Sequence, residues 1–350
     1  MLPFIFATLL GFIVLMYVIL DGFDLGIGIL FPFTSSESER DKMMNSIAPV
    51  WDGNETWLVF GGAMLYGAFP QVYGLLLPIL YMPIMLMLIA LIFRGVSFEF
   101  RFKAKRSKTL WNWSFSISSV AATFLQGVIL GAFVQGFSIN ESSMTINDPD
   151  WLTPFSLCTG IALVCGYALL GATWMIIKST GRLQRKMVHY ARGLLVLVSF
   201  FLLFVSIWTP LHSEEVFHRW YSFPNMLLLS PLPLIALIAI YLVWQNLSSG
   251  SEYKPFIYSI IIFLCSYIGI AISVYPYLIP HQVTFWEAAA PDSTLVFILI
   301  GVAIMLPILL AYTFMLITFF GVNHQKIITS YFLGVELFLS HLGKNMGVTF

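Results

Sequence analysis

The residues of this chain best suited to chemistry are a few acids set at the margins of long apolar runs. Asp21 and Asp24, in the string Asp21-Gly-Phe-Asp24, lie deep in the first run, and a spacing of three puts both carboxylates on one face of a helix. Asp52 and Glu55 belong to Trp51-Asp-Gly-Asn-Glu-Thr-Trp57, where a second run begins. Acids at membrane depth are costly and are functional candidates by default. Desolvated carboxyls hold protons more tightly than carboxyls in water, so a group of them can pass protons inward from one membrane face. The same spacings allow a structural reading. Asp52 could cap a helix N-terminus with Glu55 closing a capping box three residues on. Gly22 and Gly26 make a close-packing face that would seat Asp21 and Asp24 against a neighbouring helix.

Arg94, at the end of a third apolar run, is placed either to pair with one of these acids or to snorkel toward the interface. Glu99 and the basic run from Arg101 to Lys108 read as a solvated interfacial anchor. Trp51 and Trp57, with Trp111 and Trp113, fit an interfacial aromatic belt, from which they could also line a quinone or lipid site. Metal chemistry finds few ligands. His189 stands at a helix start, His212, His218 and His281 in loops, and His324 and His341 in the tail. A haem held between helices needs axial ligands there, so any haem would have to be held by another subunit. Cys158, Cys165 and Cys265 lie in apolar runs without a metal or redox spacing and read as small buried hydrophobes. There is no phosphate loop, dinucleotide fingerprint or nucleophile elbow, so an enzyme acting alone is not expected.

These groups must be positioned by membrane helices. Of 350 residues, 59% are hydrophobic and 10% charged, against about 25% charged in ordinary soluble domains, which implies an all-α polytopic membrane protein. The 17 Lys and Arg balance the 17 Asp and Glu, leaving no basic face for nucleic acid. A span needs about 20 apolar residues, and nine segments qualify, near 3–31, 54–76, 78–93, 111–137, 155–177, 190–208, 226–247, 256–275 and 294–320. Residues 56–93 carry no charge, too long a run for one span, and Pro70 and Pro78 bracket a turn that divides it. Nine spans gather sixteen bases on one side and leave only Arg219 on the other, so the N-terminus lies outside and the C-terminus in the cytoplasm. Merging the divided pair would also leave a strong bias, with the N-terminus inside, so the length of the run decides the count. The first run lacks the basic start and cleavage site of a signal peptide. The expected architecture is two four-helix bundles plus one helix, a single transmembrane domain over 1–322, and a tail over 323–350 with an interfacial helix at Ile327–Leu339.

The strings themselves go further. Asp21-Gly-Phe-Asp-Leu-Gly-Ile-Gly, Ser46-Ile-Ala-Pro-Val-Trp-Asp-Gly-Asn-Glu-Thr-Trp-Leu and Arg94-Gly-Val-Ser-Phe-Glu-Phe-Arg resemble subunit II of the cytochrome bd family of quinol oxidases. Pro154-Phe-Ser-Leu-Cys-Thr-Gly, Gly166-Tyr-Ala-Leu-Leu-Gly-Ala-Thr-Trp, Tyr275-Pro-Tyr-Leu-Ile-Pro and Trp286-Glu-Ala-Ala-Ala-Pro continue the likeness, in order, to about residue 322. Gly53-Asn-Glu-Thr-Trp and Gln126-Gly-Val-Ile-Leu-Gly-Ala-Phe-Val-Gln-Gly look most like the cyanide-insensitive branch.

The resemblance implies a bacterial inner-membrane complex that oxidises quinol and reduces O2 to water without pumping, with protons for water drawn from the cytoplasm. It places two b-type haems and one haem d, or a third b-type haem, in a partner subunit I, and leaves none bound by this chain. It allows a structural quinone here, a small third subunit, and surrounding lipid. It also implies that Asp52 supplies protons toward the oxygen-reducing haem, with Glu55 a second carrier and Asp21, Asp24, Arg94 and Glu99 as polar support. Two other classes stay open on the residues alone. One is a secondary transporter or channel acting by itself, and the other is a purely structural assembly subunit.

Overall fold

The computed structural model describes residues 1–137, 151–280 and 282–321. The tail over 323–350 with its interfacial segment lies outside the described residues, as do Glu141, Asp148, Asp150, His281, Lys326 and Lys344. Among the described residues the fold is all-α apart from one small hairpin. In chain order the helices are α1 (Leu2–Leu30), α2 (Glu37–Asn45), α3 (Trp51–Ala68), α4 (Pro70–Ile79), α5 (Tyr81–Lys103), α6 (Lys108–Gln135) and α7 (Pro154–Lys178). There follow α8 (Gly181–His212), α9 (Glu214–Tyr221), α10 (Asn225–Leu229), α11 (Pro231–Ser249), α12 (Lys254–Val274) and α13 (Asp292–Gly321). The hairpin, β1 (Tyr277–Ile279) and β2 (Val283–Thr284), lies between α12 and α13.

Eight of these helices are long and apolar enough to cross a membrane, and α3 is not among them, because its first turns carry Asp52, Asn54, Glu55 and Thr56. Its packing shows that it crosses all the same. Near its start, Gly53 faces the ring of Tyr312, and the Trp57 indole N–H donates to the Thr313 hydroxyl at 3.3 Å. Near its end, Gly67 faces Ile298, and the Ala68 carbonyl accepts from the Ala290 N–H at 2.9 Å. The helix therefore runs antiparallel to α13 along nearly its whole length. Eighteen residues at about 1.5 Å each reach most of the way through a hydrocarbon core of about 30 Å.

The divided run differs from expectation. The break after α3 falls at Phe69, earlier than the expected span end at 76, and Pro70–Ile79 is a short helix of its own rather than a turn. A proline at the first helical position has no N–H to lose and a φ already suited to a helix, so Pro70 starts α4 instead of preventing it. The cytoplasmic ends also extend past the apolar runs: α5 continues ten residues beyond 93, to Lys103, and α8 begins at Gly181 rather than 190. Arg94 and Arg101 thus stand inside a helix, not in a loop.

The first bundle consists of α1, α3, α5 and α6, the second of α7, α8, α11 and α12, and α13 packs on α3 and α1. The bundles meet where α6 and α1 pack on α7, with α1 crossing α7 at Gly26 and Gly171. There the two backbones touch: a Cβ added at Gly26 would overlap the Tyr167 carbonyl, and one added at Gly171 would overlap the backbone of Gly26. Small residues permit this approach, which in lipid replaces the hydrophobic drive that water would supply. Backbone cannot move aside as a flexible side chain can. Gly171→Ala is therefore expected to destabilise the bundle by about 1–3 kcal/mol or more, read as a lower melting temperature in detergent. Gly193→Ala, where nothing lies within 4 Å of the new methyl, should melt like the parent.

Candidate functional site

The site is built around Arg94. On α5 the residues Arg94, Ser97, Phe98 and Arg101 are all buried, the i, i+3, i+4, i+7 stripe of a helix face turned to its neighbours. The Arg94 guanidinium meets carboxylates from two other helices. Its Nη1 lies 2.7 Å from Asp21 Oδ1 and 3.9 Å from Glu55 Oε2, and its Nη2 lies 3.8 Å from Asp24 Oδ2. Arg94, Asp21 and Asp24 are enclosed, whereas the Glu55 side chain keeps 26% of its surface exposed. Asn54 completes the group, its Nδ2 donating to Asp24 Oδ2 at 2.7 Å and to the Leu20 carbonyl at 3.3 Å. The snorkelling alternative for Arg94 is excluded by its burial.

Both readings of the first acid pair hold together. At about 100° per residue, Asp21 and Asp24 fall within roughly 60° of each other on α1, and Gly22 and Gly26 fall on a different side. The carboxylates face Arg94 while the glycines face Tyr167 and Gly171 on α7. One helix turn earlier, Tyr17 brings its hydroxyl toward Asp21. Gln126 on α6 donates through Nε2 to the Tyr17 hydroxyl at 2.7 Å, and the Tyr167 hydroxyl donates to Gln126 Oε1 at 3.1 Å.

Asp52 is not a cap. Val50 holds the N-cap position with no side-chain bond, and Asp52 lies in the first turn. The turn over 46–50 feeds directly into α3, so that the Trp51 N–H already bonds the Ile47 carbonyl at 3.1 Å and the Asn54 N–H bonds Val50 at 3.0 Å. The donors a capping carboxylate would serve are taken, and Glu55 turns to Arg94 instead of closing a box. Asp52 and Thr56 are exposed and Glu55 half-buried, so one face of α3 leads from the surface at Asp52 through Glu55 to the enclosed group.

The remaining candidates do not join it. Glu99 is exposed and pairs with Lys103 at 2.8 Å as a solvated anchor would, whereas Arg101, expected in the same anchor, is fully buried because α5 continues through it into the bundle. Trp57 is fully buried against Phe12 and Thr313, and Trp51 stacks on Phe98 at 4.9 Å. Both serve packing in this chain. An open apolar groove between Phe60 and Phe297–Met305 holds no polar side chain for a quinone carbonyl and is lined by neither tryptophan. Among the described residues no three His, Cys, Asp or Glu gather to hold a metal, and His212 stacks on Trp208 near the end of α8.

A second cluster, not anticipated from the sequence, fixes the approach to α3. Arg101 is fully buried; its Nη1 lies 2.7 Å from Asp41 Oδ1, its Nη2 3.2 Å from Glu37 Oε2, and its Nε donates to Asn112 Oδ1 at 2.6 Å. Its guanidinium covers the Phe31 ring at 5.2 Å, and Lys108 adds contacts to Asp41 and Glu37 at 3.2 and 3.5 Å. The cluster pins α2 to α5 and α6. Burial works to raise the Glu37 carboxyl, but Arg40, Arg101 and Asn112 outweigh it and hold it below 4.5; likewise burial is outweighed at Asp41 by Arg101 and Lys108, which hold it below 3.8. The signal available in the sequence was the seven-residue spacing from Arg94 to Arg101, which puts both on one face.

Known proteins share this architecture. The family described as cytochrome bd terminal oxidase subunit II matches residues 2–320. Cytochrome bd-I ubiquinol oxidase subunit 2 of Escherichia coli (strain K12) is 28% identical over 351 aligned positions, covering 89% of this chain and 92% of that protein. Cytochrome bd ubiquinol oxidase subunit 2 of Bacillus subtilis (strain 168) is 32% identical over 181 positions, covering 50% of this chain and 54% of that one. A chain of the bd oxidase from Geobacillus thermodenitrificans superposes with a TM-score of 0.78 at 16% identity, over 91% of this chain and 98% of its own length, a likeness of fold.

Two outcomes follow from the clusters. Arg94→Gln leaves buried carboxylates without their cation and should cost about 3–5 kcal/mol, part of which Asp21→Asn restores in the double variant; thermal melting of the solubilised protein measures both. Arg101→Gln should lower the melting temperature at neutral pH. Because Glu37 and Asp41 are held below their ordinary values, their contribution is full above 4.5 and 3.8 and fades as the pH falls through the lowered values. The difference between Arg101→Gln and the parent should therefore narrow in acid, and also in high salt, since both carboxylates face water.

Proposed function

This chain belongs to the cytochrome bd terminal oxidase subunit II family, and on that premise we propose that its Arg94 cluster passes protons from the cytoplasmic face toward an oxygen-reducing centre in the partner subunit. The chain is a multi-pass subunit of a quinol oxidase of the bacterial inner membrane, an oxidoreductase as part of its complex. Such a complex takes two electrons and two protons from each quinol, and combines four electrons and four protons with O2 to give two waters. The haems of the partner supply the electron transfer and oxygen reduction. What falls to this chain is protons and support.

The observation that carries the reading is the graded exposure of four acids along one route. Asp52 stands at the surface at the end of the bundle that the charge bias marks as cytoplasmic, Glu55 is half-buried behind it, and Asp24 and Asp21 are enclosed beyond. Asp52 acts as the acceptor from the cytoplasm. Glu55, on the same helix and 3.9 Å from Arg94, receives from Asp52 and exchanges with the buried pair. Arg94 keeps the carboxylates stable in a low-dielectric place where unpaired acids would not remain charged. From this group the protons pass on to the partner subunit.

Asp52→Asn is expected to slow oxygen consumption by the purified complex on the order of 10²-fold with normal haem content, and Glu55→Gln to slow it less. Loss of haem from Asp52→Asn would assign that residue a structural role. Unaltered turnover would remove it from the route.

A further inference from the structure

We propose that the Arg94 cluster is a two-proton store, in which Asp21 remains the ionised partner of Arg94 while Asp24 and Glu55 carry the protons. This rests on the reading of the cluster as a proton route and assigns a separate part to each acid. One guanidinium neutralises one carboxylate, and three are within 4 Å of it. Fully ionised, the group would hold two uncompensated negative charges, one enclosed on α1 and one on half-buried Glu55, at the side of an enclosed carboxylate pair, and such unpaired charge is costly away from water. Two protons remove that excess. No other cation from the described residues reaches these carboxylates: the groups that act on them are Tyr17 on α1, Asp52 and the neutral amide of Asn54 on α3, Arg94 on α5 and Tyr167 on α7.

Distance decides which acid stays ionised. Asp21 lies 2.7 Å from the guanidinium, against 3.8 and 3.9 Å for Asp24 and Glu55, and Coulomb attraction at short range rises as the separation falls. Asp24 Oδ1 and Asp21 Oδ2 are both enclosed with neither a hydrogen bond nor an ion pair, so each acid has an oxygen open to a proton and the distance to Arg94 decides between them.

The donor order on the other side of Asp21 points the same way. Tyr167 donates to Gln126 and Gln126 to Tyr17, which leaves the one Tyr17 proton free for Asp21, and such a donor favours the ionised carboxylate as the stronger acceptor. Gln126 has no ionisable proton, so this chain positions Asp21 and closes the store on the side away from the cytoplasm. Each filling is a plain protonation: one H+ added to Asp24 and one to Glu55, both returned when the partner draws on them.

Infrared difference spectra of the purified two-subunit complex, recorded in H2O and D2O, read protonated carboxyls directly through the deuterium-sensitive C=O stretch. Asp24→Asn and Glu55→Gln should each remove a different component of the band from this cluster, and Asp21→Asn, which leaves Arg94 in need of a new counter-ion, should remove one of those same two components and no third. A component that is lost in Asp21→Asn but kept in both Asp24→Asn and Glu55→Gln, or an unchanged band in both Asp24→Asn and Glu55→Gln, overturns the assignment. The spectra report where protons sit even if Asp52→Asn turns over normally, so failure of the store and failure of the route are told apart.

Discussion

A guanidinium with no exposed surface, deep among membrane helices, sets the terms for this subunit. Arg94 cannot be left alone in a low dielectric, and its counter-ions arrive from α1 and α3, so α1, α3 and α5 must meet at one depth and stay there. The acids have the converse need. Breaking such a group by removing one member costs far more than the intact group contributes, and the cluster is for this reason better understood as a constraint on helix arrangement than as a source of stability. The glycine contact between α1 and α7 and the Arg101 clamp on α2 serve that arrangement from two sides. The first holds the acid-bearing helix against the second bundle, and the second anchors the chain that leads into α3.

The polar start of α3 shows how local and global demands collide at a working site. Asp52, Asn54, Glu55 and Thr56 take from that helix the hydropathy expected of a span, and it crosses because α13 lies along it and Trp57 is bonded to Thr313. A sequence usually breaks its own rules where function requires it. Here the rule broken is membrane hydropathy, and the compensation comes from a helix more than 200 residues away in sequence.

Much of this was legible in the residues. Apolar run lengths and the one-sided distribution of bases gave the helices and their orientation, and the strings around Asp21, Trp51 and Arg94 marked both the family and the acids that gather in space. Periodicity reports which residues share a face of one helix but not which distant helix fills it. Hence Arg94 could be read as a snorkelling side chain, Asp52 as a cap, and Trp57 as part of an aromatic belt, until burial and partners decided each. Pro70 misled for a related reason: a proline that would break the middle of a helix is welcome at its first turn, and sequence alone does not say where that turn lies. The Arg101 cluster was hidden because its acids, Glu37 and Asp41, sit in a polar connection where charge is expected and needs no special account.

The order of the cluster along the chain has a consequence for biosynthesis. α1 carries Asp21 and Asp24 into the bilayer when Arg94 is still roughly seventy residues from being made, on the order of several seconds to more than ten at usual elongation rates. Gly171, the surface on which α1 finally rests, comes later still. During that interval the two acids have neither cation nor seat, and the cheapest way for them to wait in lipid is as neutral, protonated groups. A device that later trades protons for a living would thus begin its existence already loaded, and the arrival of α5 would be the event that first makes one of its acids give a proton up.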